Sequence, residues 1–336
     1  VVMGVKSGEV LALATYPTYD PTTFNRDYES LSTDDRLPLF NRATDGVYAP
    51  GSTFKLCTAV AALESGIITP TTTIRDQGVY TYYAYPQPKC WIYRQYGSTH
   101  GSINVSQAIT ESCNYFFYET GRLTGIETID NYATQFGLGR STGIETGDSK
   151  GALASPEYAK ANDLEWTDGQ TITAAIGQSY NLFTPIQLAN YVATLVGDGE
   201  HYKAHLLKNV KSYDNSSMIY AYDEGPENTV SISDSTLQAV KKGMYGVANS
   251  TLSSQFSRCI VTCGAKTGSA QVGTDIANGT FVCFAPYDDP QIAVAVVIEK
   301  GGSGAALAGV AVDIVNAYFS REEIGTAIIG ENTLIS

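Results

Sequence analysis

Positive charge, histidine and long apolar runs are all scarce in this sequence. Lys and Arg together number 21 against 34 Asp and Glu in 336 residues, for a formal net charge of -13, and there are three histidines. Such a balance argues against a nucleic-acid or other polyanionic partner, because phosphate binding needs clustered cations that release counterions. A neutral or cationic substrate fits better. The longest apolar stretches, such as "IAVAVVIE" at 292–299, fall far short of the ~20 residues that span a bilayer, and no charged-then-apolar signal peptide opens the chain. Six cysteines are too few and too irregularly placed for the framework of a small disulfide-stapled domain.

What is present is a globular composition, 43% hydrophobic with no biased tract, enough for a sizeable core. The chain opens on "VVMGVKSGEVLALAT", without an initiator Met, and reads directly as a strand, a turn at Lys6-Ser7-Gly8 and a second strand, which implies that an N-terminal portion has been removed. The first convincing helix runs from about 52 to 65 and closes at Gly66. Helical patterns follow at about 105–112, 114–123 and 127–136, then "TPIQLANYVATLVGDG" as a long amphipathic helix. The last third holds β-rich runs separated by turn signals and a helix near 305–319. Strands at both ends with helices between predict one mixed sheet that joins the termini, an α/β (α+β) architecture without internal repeat or linker.

The start of the first helix reads "PGSTFK". Ser52 and Lys55 stand three apart, so both side chains share a helix face about 5 to 6 Å apart at Cβ. A serine hydroxyl becomes a nucleophile when a neighbouring base takes its proton, and burial can lower a lysine's pKa far enough for that task. The helix N-terminus disfavours the ammonium form as well. The plain alternative is a capping serine beside a solvated lysine, and S-x-x-K arises by chance about once in a chain of this length.

Two further elements suit the same chemistry. Lys266-Thr267-Gly268, followed by Ser269, ends a strand run, where a cation and a hydroxyl can hold a carboxylate while glycine permits close backbone approach. S-x-N occurs at Ser102/Asn104, Ser112/Asn114 and Ser179/Asn181. The middle copy is the best placed, since Ser112 ends one helical pattern and Asn114 opens the next. Ser102 and Asn104 read as caps of the helix that follows.

Ser-x-x-Lys, then Ser-x-Asn, then Lys-Thr-Gly, in that order, resembles the penicilloyl-serine transferases, the penicillin-binding proteins and serine β-lactamases. "YPTYDPTTFN", "NRATDGVYAPGSTFK", "IGQSYNLFTPIQLA" and "FAPYDDPQIAVAVVIE" look like the transpeptidase domain of class B penicillin-binding proteins of the elongation or sporulation type, over residues 1–336. The resemblance implies an antiparallel five-stranded sheet with helices on both faces and an all-helical lobe. It implies Ser52 as nucleophile, Lys55 as general base, Ser112 as proton relay and Asn114 as a donor to the substrate amide. Lys266 and Thr267 would hold a terminal carboxylate beside Gly268, and the backbone N–H groups of Ser52 and Ser269 would form the oxyanion hole. The implied substrate is a peptidoglycan stem peptide ending in D-Ala-D-Ala, and β-lactams would stop at the acyl stage. The implied setting is the extracytoplasmic face of a bacterial membrane, with an N-terminal membrane helix and pedestal and a cell-wall glycosyltransferase as partner. Catalysis would need no cofactor. Position 113 is Cys where many relatives carry Asp, and 269 is Ser where Thr is common. The glutamate loop of class A β-lactamases is not identifiable, since Glu157 and Glu165 lie in the wrong context, which favours a transpeptidase. A D,D-carboxypeptidase, a serine β-lactamase and a non-enzymatic β-lactam receptor stand as alternatives.

Cys90, His100 and Cys113, with a carboxylate such as Asp76, would suit a structural tetrahedral zinc, although their spacing matches no standard zinc module. Cys259 and Cys263, on one straight strand, would stand about 13 Å apart unless the chain bends. Cys57 and Cys283 read as packing residues, and the Tyr-rich stretch at 79–96 as irregular scaffold.

Overall fold

The computed structural model describes residues 1–85, 87–271 and 277–324; the expected end of the domain at residue 336 lies outside them. In chain order, the elements that position the site begin with strands β1 (Val2–Gly4) and β2 (Val10–Ala12), the short helical turn Gly51–Phe54 and helix α1 (Lys55–Glu64). Next come β3 (Ile74–Asp76), α2 (Trp91–Tyr96), β4 (Gly101–Ile103), α3 (Val105–Thr110), α4 (Asn114–Thr124) and α5 (Ile126–Gln135). Helices α6 (Pro185–Val196) and α7 (Asp234–Gly246) precede β5 (Gly264–Gln271), β6 (Ala277–Ala285), β7 (Ile292–Ile298) and α8 (Ala308–Ile324).

The central sheet has five strands in the order β2-β1-β7-β6-β5, every neighbouring pair antiparallel. Val2 faces Val294 across β1 and β7, so the opening strand joins the strands of the last third in one sheet, as the sequence implies. The opening turn closes with Gly8 at φ 71° and the Gly4 N–H donating to the Glu9 carbonyl at 2.9 Å.

Alternation along β6 divides the core. Val282 and Phe284 join Ala293 and Ala295 against α1, α4 and α6, whereas Phe281, Cys283 and Ala285 join Ile292 and Val294 against α8. Period-2 side-chain geometry sends successive residues to opposite faces, which is why a run as continuous as "TFVCFA" can be buried throughout. Cys57 and Cys283 are fully buried, as packing residues should be. Among the described residues no helix is long and apolar enough to cross a membrane.

Three local expectations change. Ser52 sits in a 3₁₀ turn, not in the α-helix, which begins at Lys55. Three residues per turn place i over i+3, so Ser52 and Lys55 still lie on one face, although the Lys55 amine bonds to Ser112 and Asn114. No side chain caps this helical start. Asn104 does cap α3, through a reciprocal pair with Gln107, but Ser102 lies within β4 opposite Arg75. The Tyr-rich stretch includes an ordered helix, α2, which Gly97 ends in the left-handed region at φ 66°; Pro86 of that stretch lies outside the described residues.

Candidate active site

A cavity of about 810 Å³ opens between the sheet edge and the helical lobe, lined by Ser52, Ser112, Asn114, Thr267 and Ser269 among others. All three motifs therefore meet in one cleft. β5 is the edge strand, and Thr267, Ser269 and Gln271, two apart, line the cavity along it.

Close backbone approach builds the floor. A side chain at Gly268 would place its Cβ 2.5 Å from the Pro50 carbonyl oxygen, and one at Gly51 would meet the Ser269 carbonyl oxygen at 2.8 Å. Gly51 also holds φ 53°, a conformation that costs glycine little. These glycines let β5 lie against the turn that presents Ser52, which brings the backbones of Ser52 and Ser269 together. The Ser269 hydroxyl accepts from the Gly304 N–H at 3.1 Å, so the side chain ties the strand to the next layer.

Ser112 stands in the short connection from α3 to α4 with φ 52°, uncommon for a residue with a Cβ. The Lys55 ammonium donates to the Ser112 carbonyl at 2.8 Å, to its hydroxyl at 3.4 Å and to Asn114 Oδ1 at 2.6 Å. Lys266 reaches the same hydroxyl at 2.9 Å and the Thr267 carbonyl at 3.1 Å. Residues 57 and 154 positions from Ser112 thus converge on one serine. Both lysines are fully buried. Burial lowers Lys55 to about 8, while burial and then the Lys55 charge push Lys266 well below its ordinary value. Two ammonium ions on one hydroxyl repel, so the pair favours holding one proton fewer.

Behind this group lies the cysteine cluster. Asp76 Oδ2 accepts from the His100 backbone N–H at 3.1 Å and sits 2.8 Å from His100 Nδ1. Cys90 Sγ is 3.6 Å from that nitrogen and 3.8 Å from Cys113 Sγ, which is 3.7 Å from Asp76 Oδ2. Cys113 also caps α4 by accepting from the Phe116 N–H. The thiol of Cys113 and the imidazole of His100 outweigh burial to bring Cys90 down to about 5. Burial opposes the charged form of His100, yet Cys90 and Asp76 raise it.

Other expected residues take different places. Ser179 and Asn181 lie outside the lining; Asn181 is buried, accepting from Ala154 N–H and donating to the Ala174 carbonyl. Glu157 opens a short helix, and the Glu165 carbonyl accepts from Tyr180; neither lines the cavity. Trp91, Arg94 and Glu111 do line it, and no spacing in the sequence points to them. Trp91 donates to the Glu111 carbonyl at 3.0 Å, which anchors α2 beside the Ser112 turn.

Ser112 under two buried lysines, in a cleft that Ser52 also lines at the edge of a five-stranded sheet, is the arrangement that the resemblance to penicilloyl-serine transferases implies. The comparisons agree: residues 1–319 match the penicillin binding protein transpeptidase domain, and the chain belongs to that family. Among its relatives is the peptidoglycan D,D-transpeptidase MrdA of Escherichia coli K12, 35% identical over 334 residues, which cover 91% of this chain and 52% of that protein. The crystal structure of Pseudomonas aeruginosa PBP2 in complex with WCK 5153 superposes with a TM-score of 0.84 at 29% identity, covering all of this chain and 74% of that one. A peptidoglycan synthase complex that coordinates polymerization and crosslinking matches with a TM-score of 0.83 at 28% identity, over 98% of this chain and 56% of that one. The chain thus spans about half the length of the curated relatives it matches.

Proposed function

We propose that this chain is the transpeptidase domain of a class B peptidoglycan D,D-transpeptidase, cross-linking stem peptides through an acyl-enzyme at Ser52. The observation that carries the reading is the convergence of Lys55 and Lys266 on the Ser112 hydroxyl in the cleft that holds Ser52. Ser52 Oγ attacks the carbonyl of the penultimate D-Ala, and Lys55 takes its proton. A substrate carboxylate at Lys266 and Thr267 favours the charged form of Lys266, and the repulsion then falls on Lys55, which becomes the neutral base. The oxyanion forms between the N–H groups of Ser52 and Ser269. Ser112, between the two lysines, passes a proton to the D-Ala amine as it leaves, and Asn114 holds the peptide amide. The amine of a second stem peptide attacks the ester, releasing Ser52. A β-lactam enters as the D-Ala-D-Ala end does and remains as the ester. Ser52, Lys55, Ser112, Thr267 and Ser269 supply this chemistry from side chains and backbone alone.

Relatives described as peptidoglycan D,D-transpeptidases support a domain that works outside the cytoplasm; an N-terminal membrane helix and pedestal are part of the proposal alone. The peptidoglycan synthase complex supports a glycosyltransferase partner. A zinc ion held by Asp76, Cys90, His100 and Cys113 completes the proposal. A tetrahedron with bonds of about 2.0 to 2.3 Å has edges of about 3.3 to 3.8 Å, and the two thiols, the imidazole and the carboxylate place their donor atoms within 4.8 Å of one another. Three of the edges measure 3.6, 3.7 and 3.8 Å; a fourth, Asp76 Oδ2 to His100 Nδ1 at 2.8 Å, is a hydrogen bond that would have to open to admit the ion. The ion would brace Cys113 between the catalytic Ser112 and Asn114.

Intact-mass measurement with benzylpenicillin tests the reading, with a D-amino acid as acceptor and Ser52→Ala as control. A stable adduct lost in the variant, with acceptor exchange on a peptide thioester, is expected. Rapid drug hydrolysis indicates a β-lactamase, and an adduct without acceptor transfer a receptor. Native mass higher by about 65 Da, removed by a chelator along with several degrees of Tm, checks the zinc.

A further inference from the structure

The remaining sulfur chemistry lies on the other side of β5. Cys259 and Cys263 are not on one straight strand: the Cys259 N–H donates to the Phe256 carbonyl at the end of a helical turn, and β5 starts only at Gly264. The bend brings the two sulfur atoms to 3.4 Å. The loop is held where it stands. Asn316 of α8 donates to the Arg258 carbonyl and accepts from the Ile260 N–H, Asn249 donates to the Cys263 carbonyl, and the Tyr287 N–H donates to Thr262.

We propose that Cys259 and Cys263 form a thiol–disulfide site that closes on contact with a disulfide oxidant and staples the entry to β5, the strand that carries Lys266-Thr267-Gly268. The two sulfurs need to approach by only about 1.4 Å to bond. Their unequal exposure sets the order of events, since Cys259 is half-buried and Cys263 buried. Hydrogen bonding from the Cys263 thiol outweighs burial to lower Cys259 to about 7, whereas the Cys263 thiol is raised, so the more accessible sulfur, that of Cys259, is the nucleophile. The Cys259 thiolate attacks one sulfur of the oxidant, whose S–S bond breaks and releases one thiolate. Cys263 then gives up its proton and attacks the Cys259 sulfur of the mixed disulfide, expelling the second thiol. Two electrons and two protons pass from the pair to the oxidant, which becomes two thiols. A domain facing the cell exterior meets such oxidants, but the chemistry rests on the pair alone. Cys90 and Cys113, at 3.8 Å, are the competing pair and are both buried.

Oxidised glutathione is the probe. The reduced protein should expose six alkylatable thiols after denaturation. Incubation of the folded protein with the probe should remove two of them, lower the mass by about 2 Da and yield a peptide internally linked between Cys259 and Cys263. Closing a loop this short should raise Tm by about 3 °C. In Cys259→Ser, Cys263 should stay alkylatable with unchanged benzylpenicillin labelling, which reports that the fold is intact. In Cys283→Ser the link should still form. Persistence of both thiols, a glutathione adduct that stays on Cys259, or a link mapped to Cys90 and Cys113 or to Cys283 instead would overturn the proposal. The readout is mass, so its failure is separate from any failure of the transpeptidase reading.

Discussion

The two faces of the five-stranded sheet differ in the size of the apolar core they bury and in what else they bury with it. The face under α8 is apolar almost throughout: Leu307, Ala311, Val312 and Val315 pack on Phe281, Cys283, Ile292 and Val294. The opposite face holds a larger core, and within or beside it lie Thr53, Lys55, Thr58, Asp76 and Lys266. A buried polar group is tolerated only when its partners are supplied, so this second face needs particular neighbours at particular distances. Thr58, for instance, donates to the Ala175 carbonyl at 2.7 Å. The chemistry sits where the folding constraints are most specific, and the α8 face serves as the support behind it.

Substitutions should separate these two roles. Lys55→Met fills the space without the amine and should lower the benzylpenicillin acylation rate constant by about 10² to 10⁴-fold, measured by stopped-flow or quenched mass analysis, with the fold retained by circular dichroism. A loss of less than about tenfold would move the base elsewhere. Ile292→Ala, on the α8 face, should show the reverse pattern: about 2 to 5 kcal/mol of stability lost in urea unfolding, with acylation of the folded protein within about twofold. Slowed acylation by the folded variant would erase the distinction.

Asp130, on helix α5, extends the comparison to the helical lobe. One of its carboxylate oxygens is buried without a hydrogen-bond partner, and burial, then Glu157, raises the group to about 8. The folded state therefore holds a proton that the unfolded chain releases near pH 4, and stability falls as pH rises from about 4 to 8. Asp130→Asn should remove that slope, giving about 1 to 3 kcal/mol at pH 8.5 and little at pH 4. Thermal unfolding at the two pH values checks it; equal gains at both would contradict the assignment. The smallest effect is on the unmodified protein: with Lys55 lowered to about 8, acylation should drop about tenfold per unit below pH 8 and level off above it. A flat profile from pH 6 to 9 would mean that Lys55 is not the titrating base.

Much of this site is legible in the chain because its pieces are local. Ser52 and Lys55 share a face whether the turn is α or 3₁₀, and the Ser112 to Asn114 turn shows itself where one helical pattern yields to the next. The four candidate metal ligands also gather as expected. What misleads is irregular backbone. Cys259 and Cys263 read as strand residues because the apolar run continues into β5, and nothing local announces the bend that brings their sulfurs together. Helix α2 hides in a Tyr- and Pro-rich stretch because its six residues are too few to show a period, and Trp91 and Arg94 reach the cavity only once that helix is placed.

By itself the sequence determined the candidate reacting groups and most of the secondary structure that presents them, because a hydroxyl, an amine and a strand end have their character from their own type and near neighbours. Only the tertiary structure decided that Lys55 and Lys266 share the Ser112 hydroxyl, that both are stripped of water, and that glycine at 51 and 268 lets one backbone rest on another. Charge repulsion and desolvation depend on distances between segments far apart in the chain, and packing sets those distances.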